Sequence, residues 1–95
     1  MRNYELVLII SPEAGDNSVS TAVDRVQQFI EERGGQVLQV DNWGKRKLAY
    51  PIARFQEGDY VVAQFRLDPP HIRELESSLH LSEEVIRHLV VKLDK

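Results

Sequence analysis

The chain contains no cysteine among its 95 residues. Disulfide bonds, thiolate metal sites and cysteine nucleophiles are therefore excluded together, and the composition is compatible with a reducing compartment such as the cytoplasm. No apolar run approaches the roughly eighteen residues of a membrane span, and no signal or transit segment precedes the first strand-like residues. We therefore expect a cytoplasmic protein that makes no membrane contact.

Length and composition indicate one folded domain over residues 1–95. Domains typically contain about 100 to 150 residues, so two do not fit into this chain. Hydrophobic residues make up 42% of the chain and charged residues 28%, close to the globular average. Neither a disordered tail nor a collagen-like protein has this composition.

Apolar periodicity predicts four strands and two helices. The period-two alternation from Tyr4 to Ile10 is typical of a strand, and a helical repeat follows the capping residues Asp16–Ser18 until Gly34 and Gly35 end it. Asp68 with Pro69 predicts the start of a second, shorter helix. The predicted strands cover residues 3–10, 36–52, 60–67 and 85–93, and residues 56–59 form the predicted turn of the central hairpin.

The element order β-α-β-β-α-β predicts an α+β fold of the ferredoxin-like type. Two right-handed crossovers joined by a hairpin give a four-stranded antiparallel sheet with both helices on one face. The second strand is unusually long, because residues 36–48 alone would span roughly 43 Å. We therefore expect this segment to protrude, bend or carry a bulge, and Gly44 is the natural place for a bulge.

The chain lacks the common catalytic and metal-binding arrangements. His71, His80 and His88 are spaced by nine and eight residues, which matches no metal-ligand pattern. No serine stands in a nucleophile elbow, adjacent glutamates diverge on a helix, and no glycine-rich loop begins a helix to bind phosphate. We expect no enzyme, cofactor, metal ion or small-molecule substrate.

Positive charge is concentrated in one segment although the chain carries a net charge of −3. Ten residues from Lys45 to Arg54 hold four cations and no acid, which leaves eight basic and fifteen acidic residues, or −7, elsewhere. Such a cluster can bind phosphates while the neighbouring Trp43 and Tyr50 stack on unpaired RNA bases. An exposed edge strand whose lysines prevent aggregation explains the same pattern, and both interpretations remain open.

The predicted topology suggests two further surfaces. Strand one should run between strands three and four, which would bring Arg2 close to Lys92, with Arg66 as a further candidate member. The alternative is that these cations are only exposed chain ends. Strands one and four are apolar on both faces, so the sheet face away from the helices should keep apolar surface for a protein partner.

Three stretches resemble bacterial small-subunit ribosomal protein six over essentially the whole chain. They are residues 1–5 (MRNYE), 43–52 (WGKRKLAYPI) and 86–92 (IRHLVVK), in the family's order and at suitable spacing. Some members of that family continue in an acidic tail, whereas this chain stops at Lys95.

The resemblance implies a structural ribosomal protein without catalysis. It implies binding to the central domain, the platform, of 16S ribosomal RNA as a heterodimer with small-subunit ribosomal protein eighteen. Trp43 and Tyr50 could instead support the hairpin or the protein interface. By matching position, the candidates for RNA contact are Arg2, Lys45, Arg46, Lys47, Tyr50, Arg87 and Lys92.

Two other functions share the predicted topology. A free-standing RNA-recognition motif stacks bases on aromatics of its third and first strands, and residues 58–65 match its pattern only in part. An acylphosphatase-like enzyme or a regulatory ligand-binding domain could also use the fold. The enzyme would need an anion-binding loop after strand one, but residues 11–16 contain two acids and no arginine.

Overall fold

Four strands and two helices follow one another in the predicted order in the computed structural model, which describes residues 1–15, 17–52 and 55–93. A 3-10 turn over Pro69–His71 leads into the second helix. No helix within the described ranges is long and apolar enough to cross a membrane. The strands are β1 (Arg2–Ile10), β2 (Gln36–Ile52), β3 (Phe55–Leu67) and β4 (Val85–Lys92), and the helices are α1 (Ser18–Glu32) and α2 (Ile72–Leu81).

The strands form an antiparallel sheet in the order β2-β3-β1-β4. β1 lies between β3 and β4, which confirms the predicted topology and the ferredoxin-like α+β fold. β2 and β4 are the two edge strands, so they lie three strand spacings apart, or about 14 Å.

The core lies between one face of the sheet and both helices. Alternate residues of β1 from Tyr4 to Ile10 are buried, because successive strand side chains point to opposite faces. Tyr4 stacks on Phe65 of β3 with the ring centroids 5.5 Å apart. The helices contribute Ala22, Val26 and Ile30 from α1 and Leu75 and Leu79 from α2 to the same core. The sheet face that points away from the helices is called the open face.

The predicted hairpin turn at residues 56–59 is wrong, because these residues belong to β3. Asp59 pairs with Lys45, Gly58 with Arg46, and residue 57 with residue 47. Glycine is needed at position 58 because a Cβ there would overlap the side chain of Ile9. Gly58 thus allows close packing between strands and does not mark a turn. β2 ends at Ile52 and β3 begins at Phe55, and the predicted cation Arg54 lies outside the described residues.

The helix ends follow the sequence signals only in part. Gly34, with φ of 78°, comes directly after the last turn of α1, in agreement with the predicted stop. Asn17 occupies the N-cap position without a capping side-chain hydrogen bond. Asp68 precedes the 3-10 turn rather than α2, and its carboxylate lies 3.5 Å from the amino group of Met1. Asp68 thus occupies the N-cap position of the 3-10 turn without a capping side-chain hydrogen bond.

An exposed network joins the end of α1 to the start of α2. The Glu74 carboxylate lies 2.8 Å from Nδ1 of His71 and accepts a hydrogen bond from Nε of Arg33 at 3.2 Å. The Arg33 guanidinium also lies 3.5 Å from the ring centroid of Phe29. The hydrogen bonds from His71 and then Arg33 lower the pKa of Glu74, because both stabilise the ionised carboxylate.

Replacing Glu74 with Gln should therefore destabilise the fold in a pH-dependent way. A lowered folded-state pKa means that the ionised carboxylate stabilises the fold above its unfolded pKa, and that this stabilisation is lost as the pH falls through the folded pKa. We expect the variant to melt below the parent protein at about pH 6 and at the same temperature at about pH 2. Circular dichroism measures this, with Glu31→Gln as the charge-matched control. A melting difference that does not change with pH would contradict the prediction.

Candidate nucleic-acid interface

β2 is too long to be straight. A fully extended strand of this length would measure about 55 Å, whereas the longest dimension of the molecule is 36 Å. The pairing of β2 with β3 shifts register between Asn42 and Gly44 and again between Lys47 and Ile52. Gly44 adopts φ of 76°, and its N–H donates to the Asn42 side-chain oxygen at 2.9 Å. The predicted bulge at Gly44 is confirmed.

Beyond Gly44 the hairpin folds over the open face of the sheet. Leu48 is only 9% exposed, although it follows three cations on an edge strand. A groove of about 210 Å³ lies at this place. Leu48 therefore packs against the open face and holds the hairpin on it. The groove is lined by Leu48 and Tyr50 from β2, Val7 and Ile9 from β1, Tyr60 from β3 and Leu89 from β4.

The basic cluster, defined as Lys45–Lys47, lies on the folded hairpin next to the bulge. All three side chains are exposed. The Arg46 guanidinium lies 5.0 Å from the ring centroid of Trp43, which is itself half exposed. None of the three cations forms an ion pair with a carboxylate of the described residues. Their charge is thus available to an external anion.

Tyr50 and Arg87 contact each other across the sheet. Nη1 of Arg87 on β4 donates a hydrogen bond to the Tyr50 hydroxyl at 3.1 Å. This hydrogen bond raises the pKa of Arg87, because the phenol oxygen stabilises the guanidinium. β2 and β4 are opposite edges of the sheet, so this contact forms only because the hairpin folds over the open face.

The other two predicted contact residues lie at the opposite end of the sheet. Lys92 pairs with Tyr4, two residues from Arg2, and both cations are exposed. This confirms that they are close in the fold, and they are called the strand-end pair below. Arg66 pairs with Asn3 and therefore projects from the other sheet face. The nine residues of β1, from Arg2 to its hairpin end, span about 26 Å, so the seven candidates form two groups.

Sequence reasoning missed the structural roles of Leu48 and Tyr60. Both line the groove on the open face. The sequence contains one weak indication for Leu48, because it is the first apolar residue after the basic cluster. Its burial depends on the bend at Gly44, which periodicity alone does not describe.

Comparison with known proteins agrees with the fold and with the three recognisable stretches. The family model described as ribosomal protein S6 matches residues 3–92. The chain belongs to the ribosomal protein S6 family. This confirms the predicted family, its ribosomal rather than enzymatic character and its place in the small subunit of the bacterial cytoplasmic ribosome.

Individual relatives are similar over nearly their full length. Small ribosomal subunit protein bS6 of Moorella thermoacetica is 40% identical over 95 residues, covering 100% of this chain and 97% of that protein. The bS6 protein of Dictyoglomus turgidum is 42% identical, covering 100% and 98%. The crystal structure of 30S ribosomal protein S6 from Thermotoga maritima superposes with a TM-score of 0.89 at 39% identity, covering 96% of this chain and 86% of that one.

The geometry also disfavours the two alternative functions. An RNA-recognition motif needs aromatics on the open face of both β1 and β3. Tyr60 of β3 lies on that face, but Tyr4, the one aromatic of β1, is buried under the helices together with Phe65. An acylphosphatase-like site needs a cationic cradle after β1. The cleft beside that loop is lined by the carboxylates Glu13, Glu83 and Glu84, which would repel a phosphate.

The bulge makes a specific prediction for Gly44. Alanine there should lower the free energy of unfolding by about 1 kcal/mol, and asparagine by less, because asparagine tolerates positive φ better. Nothing lies within 4 Å of a Cβ at this position, so the effect comes from the backbone alone. Urea unfolding measures it. Equal stability of the glycine and alanine proteins would show that the bulge does not require the left-handed conformation.

Proposed function

We propose that residues 1–95 act as one ribosomal-protein domain that binds the central domain, the platform, of 16S ribosomal RNA together with small-subunit ribosomal protein eighteen. The observation that carries the RNA-binding proposal is the exposed basic cluster on the folded hairpin, whose cations form no ion pair with a carboxylate of the described residues. Phosphate backbones are bound by such clusters, and the association releases condensed counterions.

The charge distribution supports this role more than the net charge does. The chain carries −3 overall, and many of its acidic residues lie on the helices and in the loop before β4, whereas Glu57 and Asp59 of β3 stand opposite Lys47 and Lys45 in the hairpin. The three cations of the cluster outnumber these two facing carboxylates, so the paired segments 45–47 and 57–59 together carry +1, opposite in sign to the whole chain. An acidic remainder also disfavours indiscriminate binding of nucleic acid elsewhere on the surface.

The two cation groups suggest two RNA contact points. The basic cluster and the strand-end pair lie near opposite ends of β1, which is about 26 Å long. Phosphates recur every few ångströms along a nucleic-acid strand, so a folded RNA could meet both groups at once. Recognition would then depend on the shape of the RNA rather than on base edges.

Replacing the basic cluster with alanine, as Lys45→Ala/Arg46→Ala/Lys47→Ala, should weaken RNA binding and its salt dependence. Loss of three phosphate contacts lowers the slope of log affinity against log salt by about 2 to 3. Titration of a fluorescently labelled central-domain RNA at several salt concentrations measures both quantities. The double variant Arg25→Ala/Arg73→Ala, on the helices, is the control and should keep the parent slope.

The sole tryptophan gives a second readout of the same contact. Trp43 is half exposed and lies beside Arg46, so RNA bound at the basic cluster should change its fluorescence. An unchanged affinity and slope in the triple variant, with an unchanged Trp43 signal in the parent protein, would refute RNA contact by this cluster.

The open face of the sheet is the proposed contact surface for the partner protein. Leu89 and Val91 of β4 remain 52% and 40% exposed, next to the groove under the hairpin. Contiguous apolar surface on a small domain is typical of protein interfaces. The face lies next to the basic cluster, so a partner seated there could extend the RNA-binding surface.

The substitution Leu89→Glu should weaken the heterodimer with small-subunit ribosomal protein eighteen by about tenfold or more, because a charge would enter an apolar contact. Isothermal titration of the two purified proteins measures the affinity. Leu81→Glu is the matched control, since Leu81 is 80% exposed at the end of α2, away from the open face. Equal losses in both variants would exclude the open face as the contact surface.

A further inference from the structure

We infer that the Tyr50–Arg87 contact positions the basic cluster for RNA, and that Arg87 acts as a positioning residue rather than a phosphate ligand. This inference rests on the proposed RNA-binding function. It gives both residues a role different from the direct RNA contact that their sequence positions predict.

The contact links two parts of the chain that the sheet itself keeps apart. Tyr50 and Arg87 are 37 residues apart in sequence and belong to opposite edge strands. In a flat sheet, β2 and β4 would be separated by about 14 Å. The 3.1 Å hydrogen bond therefore depends on the angle at which the hairpin crosses the open face.

The ladder with β3 holds the basic cluster within the hairpin, since its residues pair with residues 57–59, but this pairing does not set the angle of the hairpin over the open face. Register between β2 and β3 is irregular on both sides of it, with shifts at Gly44 and between Lys47 and Ile52. The side chains of the cluster are exposed. Leu48 supplies the apolar attachment of this segment, and the Tyr50 hydroxyl supplies the directional one.

Preorganisation explains why such a contact would affect affinity. Binding is weakened by the conformational entropy that a loop or side chain loses when it becomes ordered. A segment that is already held in place in the free protein loses less entropy, so it binds more tightly. The guanidinium of Arg87 is engaged by Tyr50 and lies beside the groove. A role through the hairpin requires no phosphate at Arg87 itself.

The two roles of Arg87 predict different salt dependences. A phosphate contact contributes about 0.7 to 0.9 to the slope of log affinity against log salt, whereas a positioning contact contributes nothing. Tyr50 carries no charge, so Tyr50→Phe removes only the hydroxyl that accepts the hydrogen bond. Comparison of Tyr50→Phe with Arg87→Gln therefore distinguishes the loss of the positioning contact from the loss of a positive charge.

The test measures central-domain RNA binding by Tyr50→Phe, Arg87→Gln and the double variant over a range of salt. We expect each single variant to bind about three- to tenfold more weakly, the double variant to bind no more weakly than the singles, and every slope to equal that of the parent. Arg73→Gln, an exposed arginine of α2, is the charge control and should retain the parent affinity.

Hydrogen exchange of the free protein provides a readout that does not require RNA. Backbone amides of residues 45–49 should exchange faster in Tyr50→Phe and Arg87→Gln, while the β1 amides keep their protection and show that the fold is intact. A lower slope for Arg87→Gln, additive losses in the double variant or unchanged hairpin exchange would overturn the inference. Absence of salt-dependent RNA binding by the parent protein would instead refute the proposed function, and the exchange result would still decide the positioning role.

Discussion

The structure of the candidate interface depends on the mismatch between the length of β2 and the size of the domain. Seventeen residues of extended chain do not fit along a molecule whose longest dimension is 36 Å. The strand therefore bends at Gly44, and its distal half folds over the open face. Burial of Leu48, the groove and the Tyr50–Arg87 hydrogen bond all follow from that bend.

The bend also determines how the two faces of the sheet are used. Helices α1 and α2 bury the face that contains Tyr4 and Phe65, so those aromatics stabilise the core and are withheld from any ligand. The open face is covered only in part, by the folded hairpin. One side of the domain thus maintains the fold, while the other side brings positive charge next to exposed apolar surface.

The sequence predicts those features that depend on local periodicity and backbone conformation. The element order, the alternation of β1 and the bulge at Gly44 are of this kind, and the structure confirms them. The turn at residues 56–59 fails because Gly58 leaves room for Ile9, a contact between strands that no local pattern records. The Tyr50–Arg87 contact is beyond sequence reasoning for a similar reason, since it forms only after β2 bends across the sheet.

The separation of the cations into two groups limits how one RNA could engage the domain. The sheet fixes the strand-end pair, because Arg2 and Lys92 lie on adjacent strands in regular register. The basic cluster lies beyond a register shift, so its distance from that pair depends on the hairpin angle. A surface that matched a folded RNA at both points would need this angle to be set before binding. The Tyr50–Arg87 hydrogen bond across the open face would set this angle in the free protein, and it does not require Arg87 itself to contact the RNA.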